Sequence, residues 1–284
     1  MPPAEVVRRA AAAWDGPPAP PVELLPEHVS VADVERARRR RCPTAPAGLA
    51  VGVRERDLAP AELDLVDGGD PHLLVLRDAR SGRTTALRTL LSAATDRFTP
   101  EELRVVVVDY RRNLLDAVPR EHLSGCCASA PAAAGTLAAL AEKLTARLPG
   151  PEVTVEQLRR RDWWSGPRAL VVFDDHELLA MSATDPLSAL LDLLPVAGDV
   201  GLHVVVARGA GGSAAALVQP VLRRLRDVGS SALLLSGPPD EGAVLHGGRF
   251  RARPPGRGQL VTRRSGRDGD VLQVAVTEEP VGLP

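Results

Sequence analysis

Eight consecutive residues have the spacing of a loop that binds nucleotide phosphates. They run from Arg77 to Thr84, RDARSGRT, and align with the template G-x-x-x-x-G-K-[ST] between a strand and a helix. Gly82 and Thr84 match the template, whereas Arg77 stands at the first glycine and Arg83 at the lysine. Such a loop surrounds a phosphate with backbone N–H groups at a helix N-terminus. A strand–turn–helix crossover that binds no ligand explains this stretch equally well.

Two adjacent carboxylates, Asp174 and Asp175, follow a second apolar run, ALVVF. In P-loop ATPases, such a strand is expected beside the P-loop strand. Its first carboxylate holds Mg²⁺ through water, and the next residue polarises the attacking water. Asp174 suits the first role. Asp175 is one methylene shorter than the usual glutamate and is a doubtful catalyst, because in-line positioning controls orders of magnitude in rate. The alternative interpretation is that both acids cap the next helix.

The two motifs together predict a P-loop fold more strongly than they predict ATP hydrolysis. Thr84 and Asp174 are the candidate magnesium ligands. Arg83 keeps a positive charge, but its planar guanidinium does not fit where a compact ammonium group sits. Arg77 adds bulk and a second charge at the start of the loop. The residues therefore leave enzymatic activity open.

From Pro71 onward, continuous apolar runs alternate with helical stretches. The predicted strands are His72–Leu76, Arg104–Asp109, Ala169–Asp174, Leu202–Ala207 and Ala232–Leu235. The predicted helices are Thr84–Asp96, Gly135–Arg147, Val155–Arg161, Pro186–Ala197 and Ser213–Asp227, with Thr154 as the cap of the third. Continuous Val/Leu strands are typical of a parallel sheet that has helices on both faces. We therefore predict a doubly wound, mainly parallel α/β sheet.

Shorter elements are expected on either side of this region. Residues 1–70 are predicted to be a lead-in that packs on the core domain, residues 71–284. The lead-in has two helices, a Pro-rich link and two short strands joined by a turn at Ala59-Pro60. These elements are Ala4–Trp14, Val31–Arg38 (capped by Ser30), Ala50–Val53 and Leu63–Val66. At the other end, Gln259–Thr262 and Val271–Val276 are expected to form a hairpin at the sheet edge.

Composition narrows the function classes. The 284 residues have a formal net charge of −1, and no basic track is obvious, which argues against a nucleic-acid partner. Three cysteines without C-x-x-C spacing suit a reducing, cytosolic compartment. Cys126 and Cys127 are expected to be small buried residues, and one of Trp163 and Trp164 is expected to seal the core. No apolar run is long enough to cross a bilayer.

Several separate segments resemble, in order, the FtsK/SpoIIIE-like ATPases, and more narrowly EccC, the motor of type VII (ESX) secretion. The segments are PHLLVLRDARSGRTTALRTLL, RVVVVDYRRNLLDAVP, VVFDDHELL, LLPVAGDVGLHVVVAR and PPGRGQLVTRR. EccC proteins carry three such modules in tandem, and these segments look most like the third, C-terminal module. The resemblance implies nucleotide-binding positions at Arg77, Asp78, Ala79, Arg80, Ser81, Gly82, Arg83, Thr84, Thr85 and Asp174, with Asp175 as the doubtful catalytic residue.

The resemblance also implies cofactors. ATP and Mg²⁺ are the expected ligands, and weak or absent binding stays open. In DNA-moving relatives, the strand that corresponds to Leu202–Ala207 ends in a polar sensor such as glutamine. Here Arg208-Gly209 follows instead, which lowers the expectation of hydrolysis further.

The partners implied by the resemblance are proteins. The third EccC module captures the C-terminal export signal of small WXG100-type substrates, and an amphipathic signal needs an apolar groove. Candidate groove residues are Leu217, Val218, Val221, Leu222 and Leu225, although packing of one helical stripe on the sheet is the simpler interpretation of most of them. Other modules of the same motor are further partners. A membrane is reached only through the full-length assembly, so a cytoplasmic location is expected.

These inferences leave three hypotheses. The first is a degenerate ATPase module that recognises the export signal of a secreted substrate. The second is an active ATP-hydrolysing motor domain or DNA translocase. The third is a scaffold whose nucleotide site serves stability alone.

Overall fold

The computed structural model describes residues 1–17, 22–41, 48–66, 69–78, 82–179 and 185–277. Within them, ten strands form one sheet in the order β2-β1-β10-β9-β8-β3-β7-β6-β4-β5. The strands are β1 Leu49–Arg54, β2 Pro60–Leu63, β3 His72–Arg77, β4 Leu103–Val108, β5 Leu123–Cys127, β6 Arg168–Phe173, β7 Leu202–Gly209, β8 Ser231–Leu234, β9 Arg257–Val261 and β10 Asp270–Val274.

The sheet is parallel from β8 to β5 and antiparallel from β8 to β2. The mainly parallel α/β fold is therefore confirmed. β9 and β10 pair as an antiparallel hairpin, as predicted, but not at the sheet edge, because β8 and β1 flank them. β1 and β2 continue the same sheet through β10 instead of packing on it as a separate layer. The proposed boundary at residue 70 stays a prediction.

Helices cover both faces of the sheet. Those described are α1 Pro3–Ala13, α2 Val31–Arg41, α3 Arg83–Arg97, α4 Ala130–Thr145, α5 Val155–Arg160, α6 His176–Leu179, α7 Ala197–Val200, α8 Ser213–Ala216 and α9 Pro220–Asp227. Neighbouring residues of β3 enter opposite cores, because side chains alternate along a strand. Leu73 joins the core under α3, whereas Leu74 joins the core under α4 and α9.

Two long helices predicted from the sequence are interrupted at prolines. Residues 186–197 form the 3₁₀ turns Pro186–Leu190 and Leu194–Val196, followed by α7. Residues 213–227 form two helices, α8 and α9, with a break before Pro220. Proline lacks an N–H group and disfavours helical geometry at the preceding residue, so it begins the second helix instead of continuing the first.

Other differences lie at short strands. The edge strand β5, LSGCC, was not predicted because glycine and small residues have low strand propensity. Ala59-Pro60 is not a turn, since Pro60 begins β2 and the turn lies at residues 55–57. Only Leu63 of the predicted strand Leu63–Val66 belongs to a strand.

The predicted caps are present. Ser30 and Asp33 bond reciprocally, with Asp33 N donating to Ser30 Oγ at 3.1 Å and Ser30 N donating to Asp33 Oδ2 at 3.3 Å. Thr154 and Gln157 form a capping box at α5. In contrast, α1 buries no residue.

Candidate functional site

The glycine that precedes α3 has the geometry that a phosphate loop requires. Gly82 has φ +93°, and a Cβ there would lie 3.0 Å from the backbone nitrogen of Gly256. Only glycine fits both constraints. α3 begins at the next residue, and Ala86 N donates to Gly82 O at 2.9 Å. Thr84 and Thr85 lie half-buried in its first turn. Ala79, Arg80, Ser81 and the side chain of Arg83 lie outside the described residues.

The carboxylate pair lies at the same edge of the sheet but not on the neighbouring strand. β7 separates β3 from β6, so the expectation that the two motif strands lie side by side is wrong. Sequence order does not reveal strand order. A right-handed crossover can place β6 directly beside β3 or leave room for β7 between them. In consequence, the end of β7 lies between the two motifs. Its last residue, Gly209, pairs with Arg77.

Asp174 is buried at the end of β6, with 2% of its surface exposed. Its backbone N–H donates to Val108 O at 2.9 Å, and its Oδ1 accepts from Asp175 N at 3.0 Å. The carboxylate is therefore held against the backbone of the turn that leads into α6. With the hydroxyl of Thr84, it is the residue that could hold Mg²⁺ next to a nucleotide.

Asp175 is also 2% exposed, and two arginines contact its carboxylate. Oδ2 lies 3.1 Å from Arg111 Nε, and Oδ1 lies 3.7 Å from Arg77 Nη2. Its φ of +52° is unusual for a residue with a side chain. The sequence reasoning missed Arg111. Its position directly after the strand ending at Val108 could have identified it, because parallel strands end at one edge.

The end of β7 carries a buried arginine that faces two acids. Arg208 is 8% exposed; burial lowers its pKa, and Glu177 and Glu241 offset part of that effect. Glu177 Oε1 also accepts from Gly209 N at 3.1 Å.

Four of the five candidate peptide-binding residues lie in the core. Leu217, Val221, Leu222 and Leu225 are each at most 4% exposed and pack with the sheet, whereas Val218 is 65% exposed. The simpler interpretation, a stripe packing on the sheet, describes these four. A role in peptide binding stays a prediction.

Several other candidates lie away from the nucleotide motifs. Trp163 and Trp164 precede the amino end of β6, at the edge opposite Gly82, and bond through Nε1 to Arg147 O and Asp199 O at 2.7 Å each. Both tryptophans therefore lie at the ends of the strands opposite the nucleotide motifs. Cys127 is buried as expected, but Cys126 is exposed.

In the described part of the chain, no group of three or more His, Cys, Asp or Glu residues could hold a metal ion. Among the described helices, none has the length and apolar composition needed to cross a bilayer.

Comparison with known proteins identifies relatives of the whole chain. It is 45% identical over 264 residues to the ESX-4 secretion system protein EccC4 of Mycobacterium tuberculosis. The aligned region covers 93% of this chain and 21% of EccC4. A structure of Thermomonospora curvata EccC, ATPases 2 and 3 in complex with a signal sequence peptide, matches at 38% identity and TM-score 0.82. The match covers 97% of this chain and 48% of that one.

A second structure, of a protein named only as an ATPase, matches at 31% identity and TM-score 0.81, over 89% of this chain and 97% of that one. No protein-family model matches the sequence. The chain spans about a fifth of EccC4, which is the length of a single module. The left-handed conformation of Gly82 before α3 agrees with these likenesses. The chain belongs to the EccC family of type VII secretion ATPases, as one FtsK/SpoIIIE-like ATPase module.

Proposed function

We propose that this module recognises the C-terminal export signal of a WXG100-type substrate and hydrolyses ATP weakly or not at all. It would act on the cytoplasmic side, together with other modules of the same motor. The observation that carries the recognition half is the likeness, at 38% identity, to a chain crystallised with a signal sequence peptide.

The proposal of weak or absent ATP hydrolysis is supported by the contacts of Asp175. A carboxylate polarises an attacking water only if an oxygen is available to accept its proton. Here Arg77 and Arg111 lie at 3.7 Å and 3.1 Å from its two oxygens. The two arginines compete with a water molecule for these oxygens, and this competition lowers the rate of hydrolysis.

The alternative, an active ATP hydrolase, has an observation in its favour. Gly82 keeps the left-handed conformation before α3, and Asp174 keeps a buried position at the same sheet edge. These are the features that nucleotide and magnesium binding need. Binding without efficient hydrolysis is consistent with all of these contacts.

Two measurements on the isolated module test the proposal. In the first, a C-terminal peptide of a WXG100 protein from the same secretion system is titrated against the module. Saturable binding supports recognition, and no binding at hundreds of micromolar overturns it. In the second, ATP turnover is measured with and without Asp174→Ala. Efficient turnover that disappears in this variant overturns the weak-hydrolysis half and favours the alternative.

A further inference from the structure

A cavity of about 370 Å³ opens between α4 and the amino-terminal parts of β4, β5 and β6. Its lining residues are Arg104, Val106, Ser124, Thr136, Ala139, Leu140, Lys143, Leu144, Arg147, Pro167, Arg168 and Ala169. We call it the α4 cavity. It lies at the amino ends of the parallel strands, whereas Gly82 and Asp174 lie at their carboxyl ends. A ligand in the cavity and a nucleotide would therefore not overlap.

Part of the cavity lining is apolar. Val106, Leu144 and Ala169 form the closed floor of the cavity and are each at most 6% exposed, whereas Ala139 is exposed and Leu140 half-buried on α4. The apolar surface of these two α4 residues is open to solvent, and covering it with a partner gains free energy. This lining suits aliphatic or aromatic side chains.

The charged residues of the lining are all cationic. They are Arg104, Lys143, Arg147 and Arg168. In the described part of the chain, Arg104, Lys143 and Arg147 form no ion pair with an acidic side chain. Arg104 donates only to a backbone carbonyl, that of Glu121.

Arg147 is held rigidly in this lining. It donates to Val200 O at 3.0 Å and to Pro167 O at 2.8 Å, and its guanidinium lies 4.2 Å from the ring centroid of Trp164. Burial lowers its pKa, with no carboxylate nearby to offset the effect. A guanidinium fixed in this way loses little entropy when an anion binds beside it.

We propose that the α4 cavity binds an acidic amphipathic segment of a protein partner, with apolar side chains over Ala139 and Leu140 and a carboxylate near Lys143. This inference rests on the proposed function and names the site and chemistry of the recognised segment. A nucleic acid would use phosphate contacts along a basic track and leave the apolar lining uncovered. A small inorganic anion would leave it uncovered too.

The charge of Lys143 gives a direct test. The WXG100 C-terminal peptide is titrated against the unmodified module, Lys143→Glu and the control Ala138→Glu, which introduces a glutamate at an exposed α4 position outside the cavity. We expect the dissociation constant to rise at least tenfold for Lys143→Glu and less than twofold for Ala138→Glu. A peptide with Asn and Gln in place of its acids should bind more weakly and show little response to Lys143→Glu.

Lys143 is the only lysine in the sequence, so its acetylation followed by mass spectrometry reports on this cavity alone. Bound peptide should protect it. If the peptide binds the unmodified module but leaves Lys143 reactive and all dissociation constants equal, the inference is wrong while the proposed function stands. If the unmodified module binds no peptide, both fail. Protection by inorganic phosphate or an oligonucleotide, but not by peptide, also overturns the inference.

Discussion

Arg77 Nη2 lies 3.7 Å from Asp175 Oδ1. One residue stands where a P-loop has its first glycine, and the other stands where an ATPase of this type has its glutamate. The two departures from the nucleotide motifs are therefore in contact, and each offsets the charge of the other in a buried setting.

Releasing Asp175 should raise ATP turnover. We expect Arg77→Gly combined with Arg111→Gln to increase the rate, because both oxygens then lose their cationic partners and can accept a hydrogen bond from the attacking water. Phosphate release measured under saturating ATP and Mg²⁺ checks this. Adding Asp175→Asn to the double variant serves as the control and should remove the gain. An unchanged rate in the double variant would mean that these ion pairs do not limit hydrolysis.

Restoring the loop should strengthen nucleotide binding. Arg77→Gly with Arg83→Lys supplies the glycine and the compact ammonium group of the template, so ATP affinity measured by calorimetry should increase. Asp174→Ala in the same background should weaken the magnesium-dependent part of that affinity. If the double variant binds ATP no better, the loop backbone between Asp78 and Gly82 is not shaped for phosphates.

The two kinds of apolar residue near α9 should respond differently to truncation. Leu222 is fully buried, and Leu222→Ala should lower the free energy of unfolding by about 2 to 5 kcal/mol. Val218 is 65% exposed, and Val218→Ala should change it by less than about 0.5 kcal/mol. Urea unfolding followed by circular dichroism compares them. Equal effects would show that the stripe is not core in solution.

His72 should make the fold sensitive to acid. It is fully buried with Nε2 3.2 Å from Leu194 O, and burial lowers its pKa from 6.5 to about 4. The unfolded chain therefore binds a proton that the folded chain rejects. This contribution to stability is complete above pH 6.5 and falls between pH 6.5 and about 4. The total loss is about 3 kcal/mol.

Comparison with His72→Gln isolates that contribution, because the amide can donate to Leu194 O and does not titrate. The unfolding free energy of the variant should fall less steeply over the same pH range, measured by urea titration at several pH values. Parallel curves for the two proteins would contradict the assignment to His72.

The cap of α5 should have a measurable value. Thr154 Oγ1 accepts from Gln157 N, so Thr154→Ala should reduce stability by about 1 kcal/mol. Thr154→Ser keeps the hydroxyl and should have a smaller effect. Both are measured by denaturant unfolding. A loss of equal size for serine would point to the methyl group instead of the hydrogen bond.

The sequence alone determined the local features. Gly82 and Thr84 predict a phosphate loop because the backbone and hydroxyl requirements of such a loop restrict residue types within a few positions. Ser30 and Thr154 identify helix starts for the same reason. The main parallel strands follow from continuous apolar runs, since both faces of such a sheet are buried. The helix breaks at prolines are local features too. Pro220 indicates the break between α8 and α9, although the apolar residues on either side of it continue with helical spacing.

Only the tertiary structure decided which distant residues meet. β7 inserts between β3 and β6, and strand order depends on packing between residues far apart in the chain. That arrangement brings Arg77 and Arg111 to Asp175 from two different strands. It also buries Leu222 while leaving Val218 open, and it leaves Lys143 beside an apolar cavity. Burial and ion pairing are properties of contacts across the chain, so no single segment contains them.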